Sequence, residues 1–248
     1  GTFDISRFSV PFLVKRCIEM GFRSIELSLD MALLLPGSMN EKAIEELIRI
    51  KETQQISYTV HLPLYSIEPA SPNEFIRKAS VEVLAEAVRL CEAIKPEAFV
   101  LHATGAMASE ISEMKFPPQY RDFIDEQISG FAETSIKELL QSTKLDPRKL
   151  AIENVQFPYK FMRKIIDEYD LSICFDTGHL LAGTSGDYTV MGFLEDNFNR
   201  IIDIHLHDGY HEDKGKGIKI LKDHLRLGEG KLPIVDMFDF LQRNSYSS

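Results

Sequence analysis

The chain has 248 residues, of which 44% are hydrophobic and 27% are charged, so residues 1–248 are long enough to form a single domain with a large core. Its formal net charge of -10 disfavours binding to long nucleic acids, because affinity for their phosphates depends largely on Lys and Arg. No apolar run approaches the roughly 20 residues that cross a bilayer, and no signal-peptide pattern opens the chain. We therefore expect no membrane contact and a cytoplasmic location.

Short apolar strands alternate with longer amphipathic helical stretches along the whole chain. Strands are predicted at 2–6, 24–29, 56–62, 98–103, 149–154, 171–176 and 201–207. Helices are predicted at 10–20, 40–54, 73–94, 119–144, 159–169, 187–199 and 233–243. Such repeated βα units are typical of a parallel sheet.

The predicted fold class is α/β, a (β/α)8 TIM barrel whose eighth strand is missing from this sequence. An open doubly wound sheet is the alternative. It gives no reason for metal-binding side chains at the ends of five successive strands, whereas the active site of a TIM barrel is built at the C-terminal ends of its strands.

Those strand ends carry candidate metal ligands: His61, His102, Glu153, Asp176 followed by His179, and His205 followed by His207. Side chains alternate between the two faces of a strand, so Asp203, His205 and His207 share one face, opposite the apolar residues between them. Imidazole and carboxylate groups suit Zn²⁺ and Mn²⁺, and a dense set of them favours more than one ion. The pattern predicts one metal centre assembled from many strands.

Six ordered motifs span most of the chain: His61-Leu62-Pro63, Leu101-His102-Ala103-Thr104-Gly105, Ile152-Glu153-Asn154, Phe175-Asp176-Thr177-Gly178-His179, His205-Leu206-His207-Asp208 and His224-Leu225-Arg226-Leu227-Gly228-Glu229-Gly230. With these motifs the chain resembles the xylose isomerase-like TIM-barrel superfamily. It is most similar to the endonuclease IV branch, AP endonuclease family 2, whose members are metal-dependent phosphodiesterases.

The resemblance implies a multinuclear zinc site with Glu153 as the bridging carboxylate. The implied ligands are His61, His102, Glu153, Asp176, His179, His205 and His224. Sugar isomerases and epimerases of the superfamily bind one ion, such as Mn²⁺, with residues at the positions of Glu153, Asp176 and His205. The additional His61 and His102 favour the phosphodiesterase branch.

The chain departs from the phosphodiesterase pattern in two places. Those enzymes have an Asp two residues before the position of His224, where this chain has Lys222, with Asp223 one place off. The eighth strand, which supplies a Glu in both branches, has no counterpart in the sequence. His224 and the segment 212–217 are predicted to lie in loops.

The predicted function is divalent-metal-dependent hydrolysis of a phosphodiester in a small or nucleotide-like substrate. Glu153 is the predicted catalytic residue, and His207 and Asp208 are predicted substrate contacts. Two alternatives remain open: an isomerase or epimerase acting on a sugar or sugar phosphate, and a non-catalytic binding module. Glu26 and Asp30 share the inward face of their strand and are candidates for contacts with sugar hydroxyls or with polar groups at the rim.

Overall fold

The computed structural model describes residues 9–35, 37–214 and 219–246. Within these residues six parallel strands form one sheet: β1 (Ser24–Ser28), β2 (Ser57–His61), β3 (Phe99–Leu101), β4 (Leu150–Glu153), β5 (Ser172–Asp176) and β6 (Ile201–His205). Each strand pairs with the next one along the chain, as in a barrel wall, whereas the strand order of a doubly wound sheet reverses. The predicted α/β barrel class is confirmed. The predicted strand at 2–6 lies outside the described residues.

All seven predicted helices are present in the described part of the chain, which also contains three short α-helices that were not predicted. The helices are α1 (Val10–Glu19), α2 (Leu29–Leu34), α3 (Glu41–Gln54), α4 (Glu74–Glu92), α5 (Ala106–Glu113), α6 (Pro118–Thr143), α7 (Tyr159–Tyr169), α8 (Thr177–Leu181), α9 (Val190–Asn197) and α10 (Ile234–Arg243). The unpredicted α2, α5 and α8 are too short to show a helical period. None of the described helices combines the length and the apolar composition that a membrane crossing requires.

The sheet has an apolar outer face, which packs against the helices, and an inner face that carries the predicted ligands at the strand ends. On β2, Tyr58 and Val60 are fully buried in the main core beneath the helices, as the alternation predicts. A smaller inner cluster contains Val100, Ala151 and Cys174, each of which lies two positions before a predicted ligand. Burial raises the pKa of the Cys174 thiol well above its usual value, so this cysteine serves as packing under the ligands.

After β6 the chain forms an antiparallel hairpin, β7 (Asp208–Asp213) and β8 (Lys219–Leu225). The loop predictions are therefore wrong for His224, which lies in β8, and for residues 212–213, which lie in β7; residues 215–218 lie outside the described residues. The hairpin packs against α8 so closely that a Cβ on Gly209 would lie 3.1 Å from the carbonyl oxygen of Gly178. This tertiary contact stabilises strands whose charged, glycine-containing sequence has little intrinsic strand preference.

Candidate metal centre

Glu153, the last residue of β4, lies at the centre of the histidines. Its Oε2 is 2.9 Å from Nε2 of His102 and 3.3 Å from Nε2 of His61. Its Oε1 is 3.1 Å from Nδ1 of His205. The carboxylate thus lies where side chains from β2, β4, β6 and the end of β3 converge.

Two opposing effects set the charge of this carboxylate. Only 3% of Glu153 is exposed, and burial on its own raises the pKa of a carboxyl group. Hydrogen bonds from His102, then His205 and then His61 outweigh burial and hold the pKa of Glu153 well below its usual value. Glu153 is therefore a buried anion surrounded by imidazoles, which is a donor set suited to a divalent cation.

A second group of ligands forms around Asp176, which is fully buried at the end of β5. Its Oδ1 accepts a hydrogen bond from the backbone N–H of His179 and so caps α8. Its Oδ2 has no hydrogen-bond partner within the part of the chain that the structure describes. This oxygen faces Nε2 of His224 at 3.7 Å, and Nδ1 of His205 and Nε2 of His207 at 3.8 Å each.

These separations fit a shared metal ion better than hydrogen bonds. A nitrogen and an oxygen that each bind zinc at about 2.0–2.2 Å in tetrahedral geometry lie roughly 3.4 Å apart. An unpaired buried carboxylate oxygen is costly, and an ion between Asp176 and the imidazoles would satisfy it. The residues of this group therefore fit the divalent metal that the sequence predicts.

Side chains around the ligands hold them in place. Asn154 follows Glu153 directly, and its buried amide accepts a hydrogen bond from the N–H of Asp176 at 2.7 Å and donates one to its carbonyl at 2.9 Å. Glu26 on β1 lies 3.2 Å from Nε2 of His205 through its Oε2. Carboxylates that accept a hydrogen bond from a ligand histidine in this way fix the orientation of its ring.

The two predicted substrate contacts differ in their surroundings. The side chain of His207 is 38% exposed and its Nε2 lies 3.8 Å from Oδ2 of Asp176, so part of the ring is accessible to a substrate. Asp208 is only 1% exposed, and its carboxylate accepts hydrogen bonds from the backbone N–H groups of Gly209, Gly228, Gly230 and Leu232. This geometry favours a structural role for Asp208, which anchors the loop after β8, over the predicted substrate contact.

The rim residues have roles that the sequence left open. Both carboxylate oxygens of Asp30 accept hydrogen bonds from the backbone of the loop after β2, at Leu64 and Tyr65, so Asp30 satisfies polar groups at the rim. Glu26 contacts a predicted ligand, His205. Asp30 lies in α2 and Glu26 lies in β1, so the two acids do not share a strand face as predicted, and they have different tasks.

All seven predicted ligands come together in one cluster. Apart from Glu153 and Asp176 themselves, each predicted ligand has a ring nitrogen within 3.8 Å of an oxygen of one of these two carboxylates. The cluster includes two triads with no residue in common, His61 with His102 and Glu153, and Asp176 with His179 and His224.

The family model described as xylose isomerase-like TIM barrel matches residues 14–248. The chain belongs to this family. Among curated proteins, the chain is 25% identical to the uncharacterised protein MJ1311 of Methanocaldococcus jannaschii, over 84% of this chain and 68% of that protein.

The chain shares its fold with solved structures of both types of enzyme that the sequence predicts. A D-tagatose 3-epimerase-like protein is 21% identical with a TM-score of 0.70, covering 97% of this chain and 85% of its own. The 3-keto-D-glucoside 4-epimerase YcjR of E. coli is 16% identical with a TM-score of 0.69, covering 97% and 84%. Endonuclease IV of Thermus thermophilus is 15% identical with a TM-score of 0.65, covering 91% and 80%. At these identities the likeness establishes the fold alone.

The sequence did not predict that Asp223 contacts two of the candidate ligands. Its Oδ2 lies 2.6 Å from Nδ1 of His179, and its Oδ1 lies 3.1 Å from Nδ1 of His224. Neighbouring residues of a regular strand point to opposite faces, so Asp223 and His224 are not expected to reach one site. His224 has a φ of +52°, in the left-handed region, and this local departure from strand geometry accompanies their convergence.

Proposed function

We propose that this protein is a divalent-metal-dependent hydrolase that cleaves a phosphodiester in a small or nucleotide-like substrate. The observation that carries the proposal is the position of Glu153 between two groups of ligands. Its Oε2 contacts His102 at 2.9 Å, while its Oε1 lies 3.7 Å from Nε2 of His179 in the second triad. A carboxylate shared between two ligand groups is the arrangement that bridges two metal ions in many phosphatases and nucleases.

The ligands divide naturally between two ions. His61, His102 and Glu153 would hold one, and Asp176, His179 and His224 would hold the other, with His205 between Glu153 and Asp176. When bound, a pair of divalent cations supplies Lewis acidity, which stabilises negative charge developing on a phosphoryl group.

The chain's own side chains provide binding and orientation. Glu153 and Asp176 place two buried carboxylates in the site, and Glu26 fixes the ring of His205. The imidazole of His207 is 38% exposed, so a ring N–H can donate a hydrogen bond to a phosphoryl oxygen of the substrate. The net charge of -10 favours a small phosphodiester over a long duplex, whose phosphates need many cationic partners.

Epimerisation or isomerisation of a sugar is the second candidate, and one observation favours it. Nδ1 of His205 lies 3.1 Å from Glu153 and 3.8 Å from Asp176, so these three residues could hold a single ion without the remaining histidines. One ion would then polarise the oxygens of a sugar while a carboxylate moves a proton. The number of bound ions separates the two candidates.

We expect at least two zinc ions per chain in protein purified without added metal, measured by inductively coupled plasma mass spectrometry. Free Zn²⁺ at 100 times its Kd stabilises a protein by about 2.7 kcal/mol, which raises the Tm of a chain of this size by roughly 5–10 °C. This is the gain for one site, so removal of both ions with a chelator should lower the Tm by at least this amount, and reloading should restore it.

Other metal contents would change the assignment. A single manganese-like ion would favour the epimerase, since one ion is sufficient to polarise a carbonyl. A chain that binds no Zn²⁺ or Mn²⁺ after reconstitution would contradict both enzymatic functions and leave the non-catalytic binding module.

A further inference from the structure

One carboxylate joins two predicted ligands that come from different elements. Asp223 on β8 lies 2.6 Å from Nδ1 of His179 on α8 and 3.1 Å from Nδ1 of His224. An ionised carboxylate only accepts hydrogen bonds, so a hydrogen on Nδ1 of each ring suits both contacts. The electron pair available to a metal then lies on Nε2 of each ring.

Both Nε2 atoms face the buried carboxylates. Nε2 of His179 is 3.7 Å from Oε1 of Glu153, and Nε2 of His224 is 3.7 Å from the unpaired Oδ2 of Asp176. The two rings meet edge to face, with centroids 4.8 Å apart and an interplanar angle of 77°. They therefore present their electron pairs to one region from two directions, as two ligands of one ion do.

We propose that Asp223 is a positioning residue that sets the tautomer and the orientation of His179 and His224. It thereby connects α8 to the β7–β8 hairpin and completes the second triad before a metal binds. Its carboxylate lies on the Nδ1 side of both rings, so it acts through them. The inference rests on the metal-binding part of the proposed function.

The backbone beside Asp223 fits closely around this contact. A Cβ added to Gly178 in α8 would lie 2.5 Å from Oδ1 of Asp223 and 2.9 Å from Cβ of His207. Any larger residue at this position would push the hairpin away from α8. Gly178 therefore permits the approach that brings the carboxylate to both rings.

The test is a titration with Co²⁺, followed by visible absorption, of the full chain and of Asp223→Asn. The asparagine keeps the size of the side chain but offers one acceptor oxygen in place of two. Loss of an outer partner of a ligand histidine weakens metal affinity by about 10–100-fold. We expect this loss for one bound ion, with an unchanged number of ions at saturation and an unchanged shape of the absorption bands.

Glu212→Gln is the matched control, because it removes one negative charge from the same hairpin at a carboxylate that pairs with Lys214. Its affinity for Co²⁺ should equal that of the unaltered protein. If Asp223→Asn bound Co²⁺ as tightly as the unaltered protein, this inference would be overturned and the proposed function would still stand. Complete loss of one ion with altered bands would make Asp223 a direct ligand and also overturn it. If the unaltered protein bound no Co²⁺, the proposed function would fail as well.

Gly178→Ala offers a second route to the same contact. It should weaken the same ion, because the added methyl group displaces Asp223. Gly130→Ala is its control, since among the described residues a Cβ at Gly130 would meet no atom within 4 Å beyond the adjoining backbone of its own helix. If Gly178→Ala binds Co²⁺ as tightly as Gly130→Ala does, the close approach is not needed and the inference is contradicted.

The tautomers can also be read without any variant. In the zinc-loaded protein, long-range ¹⁵N–¹H correlation spectra of the imidazoles should show the hydrogen on Nδ1 of His179 and of His224. A hydrogen on Nε2 of either ring would overturn the inference, whatever the stability of the variants.

Discussion

Glu153→Gln is expected to lose nearly all hydrolytic activity and most of the bound metal. Glu153 is the only carboxylate that contacts histidines of both triads within the described residues. The neutral amide cannot bridge two cations, and it presents hydrogen-bond donors toward imidazoles that now require acceptors. Metal ions supply several kcal/mol of transition-state stabilisation, and about 1.4 kcal/mol corresponds to a tenfold change in rate, so we expect a loss on the order of a thousandfold.

Two measurements check this result. Hydrolysis of bis(p-nitrophenyl) phosphate reports activity, and mass spectrometry reports the metal content of the same sample. Glu195→Gln, at an exposed position of α9, is the control and should match the unaltered protein in both. Circular dichroism should show a folded Glu153→Gln protein. A folded variant with full metal content and full activity would refute the central role of Glu153.

Asp208→Ala is expected to cause the largest loss of stability. The carboxylate accepts four backbone hydrogen bonds at 2.8–2.9 Å, and its removal leaves these N–H groups without their acceptor. Each unsatisfied buried polar group costs about 1–3 kcal/mol, and relaxation of the loop recovers part of this. We expect the free energy of unfolding to fall by about 4 kcal/mol, measured by denaturant titration of the metal-free protein.

Glu229→Ala is the control, because Glu229 lies in the same loop with an exposed side chain. Its effect on the free energy of unfolding should stay within about 0.5 kcal/mol. The experiment also separates the two roles of Asp208. A substrate contact would raise KM and leave stability unchanged, and that outcome would restore the role predicted from the sequence.

The sequence by itself determined the class of fold and the set of candidate ligands. Polar residues on one face at strand ends, such as His61 and Glu153, can be recognised in the sequence because side chains of a strand alternate between two faces. Parallel strands connected by helices must align their carboxyl ends, so ligands from distant segments such as Asp176 and His205 were expected to meet. Family resemblance added His224, which periodicity does not reach.

The tertiary structure decided everything that depends on contacts across the chain. The hairpin strands lack a local strand signal in the sequence. Their conformation is determined by packing against α8, which only the folded chain provides. Asp208 and Asp223 have the same chemistry, yet one anchors a loop through backbone N–H groups and the other faces two imidazoles. Strand alternation separates Asp223 from His224, and the left-handed backbone at His224 is a property of the folded hairpin. A residue's neighbours in space, which the linear sequence does not encode locally, set these roles.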